Sequence, residues 1–153
     1  MPQVSAGLLL HREAANGHVI LLGHMGGPFW ARKDAHAWSI PKGLRDDGEA
    51  DLLAVAEREF EEEMGSPAPA GDTVSLGSVR SGAKTIHAFA RAANFNAQTA
   101  VSNTFEIEWP RGSGQLQTFP EIDRAEWLTI DEARIRLVKG QQPFLDRLVD
   151  LLS

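Results

Sequence analysis

Glu59, Glu62 and Glu63 stand at i, i+3 and i+4, so a helix through them stacks their carboxylates on one face. Like charges at that spacing weaken a helix unless something cationic sits among them. A divalent ion is the economical explanation. Hard cations such as Mg²⁺ take oxygen ligands, commonly a few carboxylates together with waters and substrate phosphates. Zinc suits the chain poorly: it has no cysteine, and its five histidines (11, 18, 24, 36 and 87) show no ligand spacing. Taken alone, the glutamates also fit the solvated acidic face of an ordinary amphipathic helix.

The helix itself is well specified. Leu52, Leu53, Ala56, Phe60 and Met64 recur at three- and four-residue intervals and form an apolar stripe. At about 100° per residue, Glu59 and Glu63 border that stripe and Glu62 lies further out. Glu57 and Glu61 turn away from it and are expected to be solvated. Gly65 is a natural C-cap. Upstream, Pro41-Lys42-Gly43 forms a glycine turn that leads toward the helix.

Gly43, Glu49, Arg58, Glu59, Phe60, Glu62, Glu63 and Gly65, in that order, resemble the Nudix box. The family pattern is Gly, five residues, Glu, seven residues, then Arg-Glu-apolar-any-Glu-Glu-any-Gly-apolar. Two departures are visible: eight residues separate Glu49 from Arg58, and Ser66 replaces the final apolar residue. The extra residue is expected in the loop or first helical turn, where insertions are tolerated. That leaves Arg58 to Gly65 in register and the role of Glu49 open. The similarity extends through Gly27-Pro28-Phe29-Trp30, Trp38 to Gly43, and Ser102-Asn103-Thr104-Phe105 with Trp109. These stretches look like a group of bacterial Nudix proteins of unassigned substrate.

The resemblance implies a set of roles. Glu59, Glu62 and Glu63 would ligate Mg²⁺ or Mn²⁺, with the backbone carbonyl of Gly43 as a further oxygen ligand. Arg58 would orient Glu59 through a charge-assisted hydrogen bond. The reaction implied is attack of water on a phosphorus of a diphosphate linkage, which rests on positioning and charge neutralisation. Lys42 is a candidate phosphate contact, or simply a solvated loop lysine. The general base varies within the family. Glu121 is the best downstream candidate, or else a loop acid without a catalytic part; Glu106 and Glu108 should alternate outward from a strand.

A chain of 153 residues fits one domain with a proper core, spanning 1–153. Its 42% hydrophobic and 24% charged content are those of a soluble globular protein, and no apolar run reaches membrane-spanning length. Met1 to Ala6 lacks a basic start followed by an apolar signal core, so a cytoplasmic location is the expectation. The net charge of −6 argues against a general nucleic-acid binder, which needs a basic stripe for backbone phosphates. An acidic protein still binds an anionic nucleotide through a metal it holds. A homodimer is possible by family analogy alone.

Strands are expected at Ala6 to Leu10, His18 to Leu22, Trp38 to Ile40, Val74 to Val79, Thr85 to Ala90, Thr104 to Trp109 and Ala125 to Leu128. Thr129-Ile130-Asp131-Glu132 is a capping box opening a helix to about Val138. Pro143 begins a last helix with Leu145, Leu148, Val149 and Leu152 as its buried stripe. Mixed strands around a central helix, followed by helices, give an α+β fold, an α/β/α sandwich that agrees with the Nudix fold.

The group carried by the diphosphate depends on residues outside the box. Phe29 and Trp30, in a Gly/Pro-rich loop, are candidates for a wall facing a nucleobase, or are packing residues; Trp38 is expected in the core. Arg32 and Lys33 are candidate phosphate supports or solvated loop cations. Pro-Lys-Gly resembles branches acting on dinucleoside polyphosphates or diphosphoinositol compounds. The downstream tyrosine common in the former is absent, since the chain has no tyrosine. The expected function is a Mg²⁺-dependent pyrophosphohydrolase of a small nucleotide, a nucleoside triphosphate or dinucleoside polyphosphate foremost. The alternatives are a nucleotide-sugar or diphosphoinositol hydrolase, or a non-catalytic nucleotide sensor.

Overall fold

The computed structural model describes residues 3–153, apart from the side chain of Ser81. In chain order the elements are β1 (Gln3–Ala14), β2 (Gly17–Met25), β3 (Trp38–Ser39), β4 (Lys42–Leu44), α1 (Leu52–Met64), β5 (Thr73–Ser81) and β6 (Lys84–Ala92). There follow β7 (Thr104–Glu108), β8 (Leu116–Pro120), β9 (Ile122–Thr129), α2 (Ile130–Arg136) and α3 (Gln142–Leu152).

The apolar run of β1 dictates a covered sheet, because alternate side chains leave on opposite faces. Leu8 and Leu10 join Val55, Ala56, Phe60 and Met64 of α1 in one core cluster. Leu9, between them, joins a second cluster with Ala133 of α2 and Phe144, Leu145 and Leu148 of α3. Helices therefore cover both faces, giving the expected α/β/α sandwich. The sheet is mixed, with the path β3-β2-β1-β6-β5; β9 adds to β2, and β4 to β1. β1 and β6 run parallel from Gln3↔Lys84 to His11↔Ala92.

One irregularity in this sheet positions the site. β1 pairs with β2 from His11 to Ala14, but over Ser5 to Gly7 its partner on that side is β4. The two long strands splay, and Trp38 to Leu44 enters the gap. β3 pairs with Gly23 and His24 of β2, and the Pro41 carbonyl accepts from the Leu8 N–H at 3.1 Å. The glycine turn ahead of the helix is thus held in the sheet and is not a free loop.

The expected strands are present, most of them longer than the pattern suggested. β4 and β8 were not expected, and α2 ends at Arg136 instead of Val138. Along α3 the buried residues are Phe144, Leu145 and Leu148, whereas Val149 and Leu152 are 38% and 40% exposed. The helix turns the side chain after Pro143 inward, which shifts the stripe. β7 and β8 form a separate hairpin, with Phe105 opposite Phe119. Among the described residues, no helix is long and apolar enough to cross a membrane.

Candidate functional site

Helix α1 begins and ends as its sequence dictates. The Asp51 side chain caps it by accepting from the N–H of Leu53 at 3.0 Å and of Ala54. Gly65 closes it at φ 78°, a left-handed conformation that glycine adopts without strain. Between these ends the helix lies on β1 and beside β4, so its acidic flank faces the glycine turn.

Arg58 is the hub of that flank. Its Nε and Nη2 donate to the two carboxylate oxygens of Glu49, at 3.1 and 2.8 Å. Its Nη1 donates to Glu59 at 2.9 Å and to Glu62 at 3.1 Å, and its Nη2 also reaches the Leu44 carbonyl at 3.1 Å. A bidentate guanidinium–carboxylate pair is strong and fixes orientation as well as distance. Glu49, whose role the spacing left open, is therefore docked despite the extra residue. Its hydrogen bonds to Arg58 and to the Asp46 backbone hold its carboxyl below the usual range, while the Glu49 pairing above all holds Arg58 well above its own.

Glu59 is 9% exposed, and burial foremost, with Glu62 adding to it, pushes its carboxyl up against the pull of Arg58. Gly43 faces it so closely that a Cβ there would overlap the carboxylate, so glycine is needed for contact even though no unusual φ requires it. Glu63 is more strongly affected. Burial raises its carboxyl to about 8, although Lys42 and its backbone N–H, 3.3 Å from Oε1, draw it down. The charges of Glu59 and Glu121 push it further up.

The downstream candidate Glu121 is thus near enough for Glu63 to feel it. Its side chain is exposed, and its backbone is pinned on both sides. The Glu121 N–H donates to the Asn103 carbonyl, and its carbonyl accepts from Gly26 N–H, each at 2.9 Å. Glu106 and Glu108 point outward, as expected.

These donors suit a hard divalent ion. They are all oxygens, and burial penalises the charge of two of the carboxylates, as it does where a cation is the natural partner. Among the described residues, no three acidic or histidine side chains already converge on one point. Arg58 holds Glu59 and Glu62, while the Lys42 amide holds Glu63, so a metal would compete with these partners.

The residues ahead of the box divide. Phe29 is exposed and stands edge-on to Trp109, with ring centroids 5.5 Å apart. Trp30 is partly buried against the core cluster on the α2/α3 face, with Lys33 over its ring at 5.3 Å. Trp38 is fully buried in that same core. Arg32 is exposed and makes no side-chain hydrogen bond or ion pair among the described residues.

Glu57 is not the solvated bystander that its angle suggested. Its Oε2 lies 3.0 Å from Nη1 of Arg91, a buried β6 residue that also bonds the Thr73 hydroxyl at 2.7 Å and the Pro69 carbonyl at 3.0 Å. The sheet places an arginine beneath that flank of the helix, which helical angle alone does not reveal. Glu61 remains exposed, as expected. Trp109 was expected to end a strand and to belong to the longer similarity; β7 stops at Glu108, and beside a proline in a polar turn Trp109 carries no local signal of its packing against Phe29.

A family model for the NUDIX domain matches residues 1–148. Similar solved structures include the NUDIX domain of Shewanella oneidensis NrtR complexed with ADP ribose, at 13% identity and a TM-score of 0.68. The match covers all of this chain and 90% of that one. A C. elegans Ap4A hydrolase binary complex is similar at 19% identity and a TM-score of 0.61, over 98% of this chain and 97% of that one. The Nudix hydrolase RenU from M. smegmatis is similar at 24% identity and a TM-score of 0.54, over 97% and 84% of the two chains. Likeness at such identities establishes the fold alone. No curated protein matches the sequence.

Proposed function

The chain belongs to the NUDIX family of hydrolases, and from that premise we propose that it is a Mg²⁺- or Mn²⁺-dependent pyrophosphohydrolase of a small nucleotide. Nucleoside triphosphates and dinucleoside polyphosphates are the favoured substrates. The observation that carries this reading is a surplus of acid: Arg58 and Lys42 together face Glu49, Glu59, Glu62, Glu63 and Glu121. A cluster that serves stability alone balances its charges; one that receives a cation and an anionic substrate does not.

Glu59, Glu62, Glu63 and the Gly43 carbonyl are the groups that would hold the ion. When bound, the ion neutralises phosphate charge and makes water a stronger nucleophile at neutral pH. Arg58 orients Glu59 and Glu62 through one nitrogen and is itself anchored by Glu49. The position of Lys42 beside Glu63 supports a contact with a phosphate oxygen. Glu121 is the base: it takes the proton of the attacking water as a new O–P bond forms, and the bridging P–O bond breaks to release the leaving phosphate. The exposure of Glu121, together with its influence on Glu63, supports that role.

ADP ribose and Ap4A, associated with two of the similar structures, both contain phosphoanhydride linkages and belong in a test panel with nucleoside triphosphates, nucleotide sugars and a diphosphoinositol. Incubation with Mg²⁺ followed by chromatography should show cleavage of at least one nucleotide, and Glu62→Gln should remove it. A panel left intact, or an equally active mutant, rules the hydrolase out. Glu121→Gln should lower turnover by about a hundredfold or more; unchanged turnover removes it as the base.

A further inference from the structure

The acid cluster leaves unused a row of aromatic side chains that starts beside it. The turn after β2 runs along the β7–β8 hairpin. Gly26 donates to the Glu121 carbonyl at 2.9 Å, and a Cβ on Gly27 would press on the Phe105 ring at 2.8 Å. Two residues further on, the Phe29 ring meets Trp109 at 5.5 Å and 71°. From Phe105 along β7 to Trp109, one residue past the strand and still bonded to the Gln115 carbonyl, is about 13 Å of extended chain. The row thus begins at Glu121 and ends roughly one nucleotide's length from it.

Its outer end is open. Phe29 is 46% exposed, and Trp109 is only partly buried. The Arg111 guanidinium lies 5.9 Å from the Phe29 ring centroid and forms no ion pair among the described residues. Core aromatics such as Trp38 and Phe60 are fully buried; this pair presents flat apolar surface to water next to an uncommitted cation.

We propose that Phe29, Trp109 and Arg111 form the nucleobase site of the substrate. The base stacks on the aromatic pair, and Arg111 donates from its planar fork to acceptor atoms on the base edge. The phosphates run back along the hairpin to Lys42 and the acids. This inference rests on the pyrophosphohydrolase reading and deepens it. It assigns the substrate to nucleotides over diphosphoinositols, and it lets Trp109 and Phe29 supply the stacking surface in a chain without tyrosine.

Two uncleavable ligands test it by isothermal titration in Mg²⁺: α,β-methylene-ADP and methylenediphosphonate, the same phosphorus backbone without nucleoside. The wild type should bind the nucleotide analogue more tightly. Trp109→Ala should weaken that ligand about tenfold and leave methylenediphosphonate unchanged, while Trp109→Phe retains most of the affinity. Far-UV circular dichroism and melting should confirm that both variants fold. The proposal is overturned if the wild type binds the two ligands equally or binds neither, if Trp109→Ala and Phe29→Ala leave the preference intact, or if both ligands weaken together. Preferential binding without turnover of any panel member sinks the hydrolase and keeps the base site. Turnover with base-indifferent binding does the reverse.

Discussion

Two arginines meet helix α1, and they are used in opposite ways. Arg91 is buried, and its partners balance it: one carboxylate from Glu57, one hydroxyl and one carbonyl. Arg58 is partly exposed and faces three carboxylates within 3.1 Å, with Asp46 a fourth at 3.7 Å. Removing charges from water is costly unless each is paired, so a balanced buried pair is what a fold tolerates. An unbalanced, accessible one costs stability and persists where something else completes it. Both contacts have the same chemistry, and only the count of partners distinguishes the balanced arginine from the one proposed to serve the site.

Mutations on the two flanks should therefore separate turnover from stability. The largest effect is expected at Glu59→Gln. Losing a ligand of the proposed ion should cost several kcal/mol of transition-state stabilisation, about a thousandfold in turnover, with the melting temperature unchanged or raised because a buried charge is gone. Steady-state kinetics beside thermal melts check it, and a variant that turns over normally breaks the contrast at its root. Arg58→Met comes next. It removes the partner that orients the ligands, so metal affinity or activity should fall by about 10- to 100-fold, measured by Mn²⁺ titration.

On the other flank, Glu57→Ala should lower unfolding stability by about 2 kcal/mol in urea while leaving turnover untouched. A loss of activity there would show that the two networks are coupled. Chelator should expose a pH dependence of the metal-free protein. In the folded chain Glu63 holds its proton to about 8, against an ordinary value of 4.5. Stability from that protonated form is present below about 4.5 and is lost as pH rises through about 8. Melting temperature should fall over that interval, and Glu63→Gln should flatten the fall.

The contrast also marks what the sequence could carry. The stripe of helix α1 and its end at Gly65 were legible as local signals, whereas its Asp51 cap was not read. Thr129 and Glu132 cap α2 reciprocally, as their spacing foretold. The Glu57–Arg91 pair was not legible, since thirty-four positions separate the residues and only the folded sheet brings them together. β4 escaped notice for a similar reason: three residues around a glycine have no alternation to read, and they become a strand only because β1 and β2 part. β8 is too exposed and polar to show a buried face. Phe29 was readable as a candidate wall, while its partner Trp109 was readable as a strand end and a matching residue but not as an aromatic contact of Phe29. Spacing put the acids on one helical face, and the resemblance supplied their proposed roles; their mutual electrostatics needed the fold.

Gly43 is stitched to Ala6 of β1, and the Arg45 N–H donates to the Val4 carbonyl at 2.8 Å. Glu49 is gripped independently by Arg58. Between these anchors, Asp46 and Glu49 close a small turn on each other at 2.8 and 3.1 Å, and Asp46, Asp47 and Gly48 are exposed. The segment is thus a hem fastened at both edges, with its slack hanging in water. For protein engineering, that makes the Asp47–Gly48 junction a splice point: residues added there would bulge outward while both fastenings keep their grip.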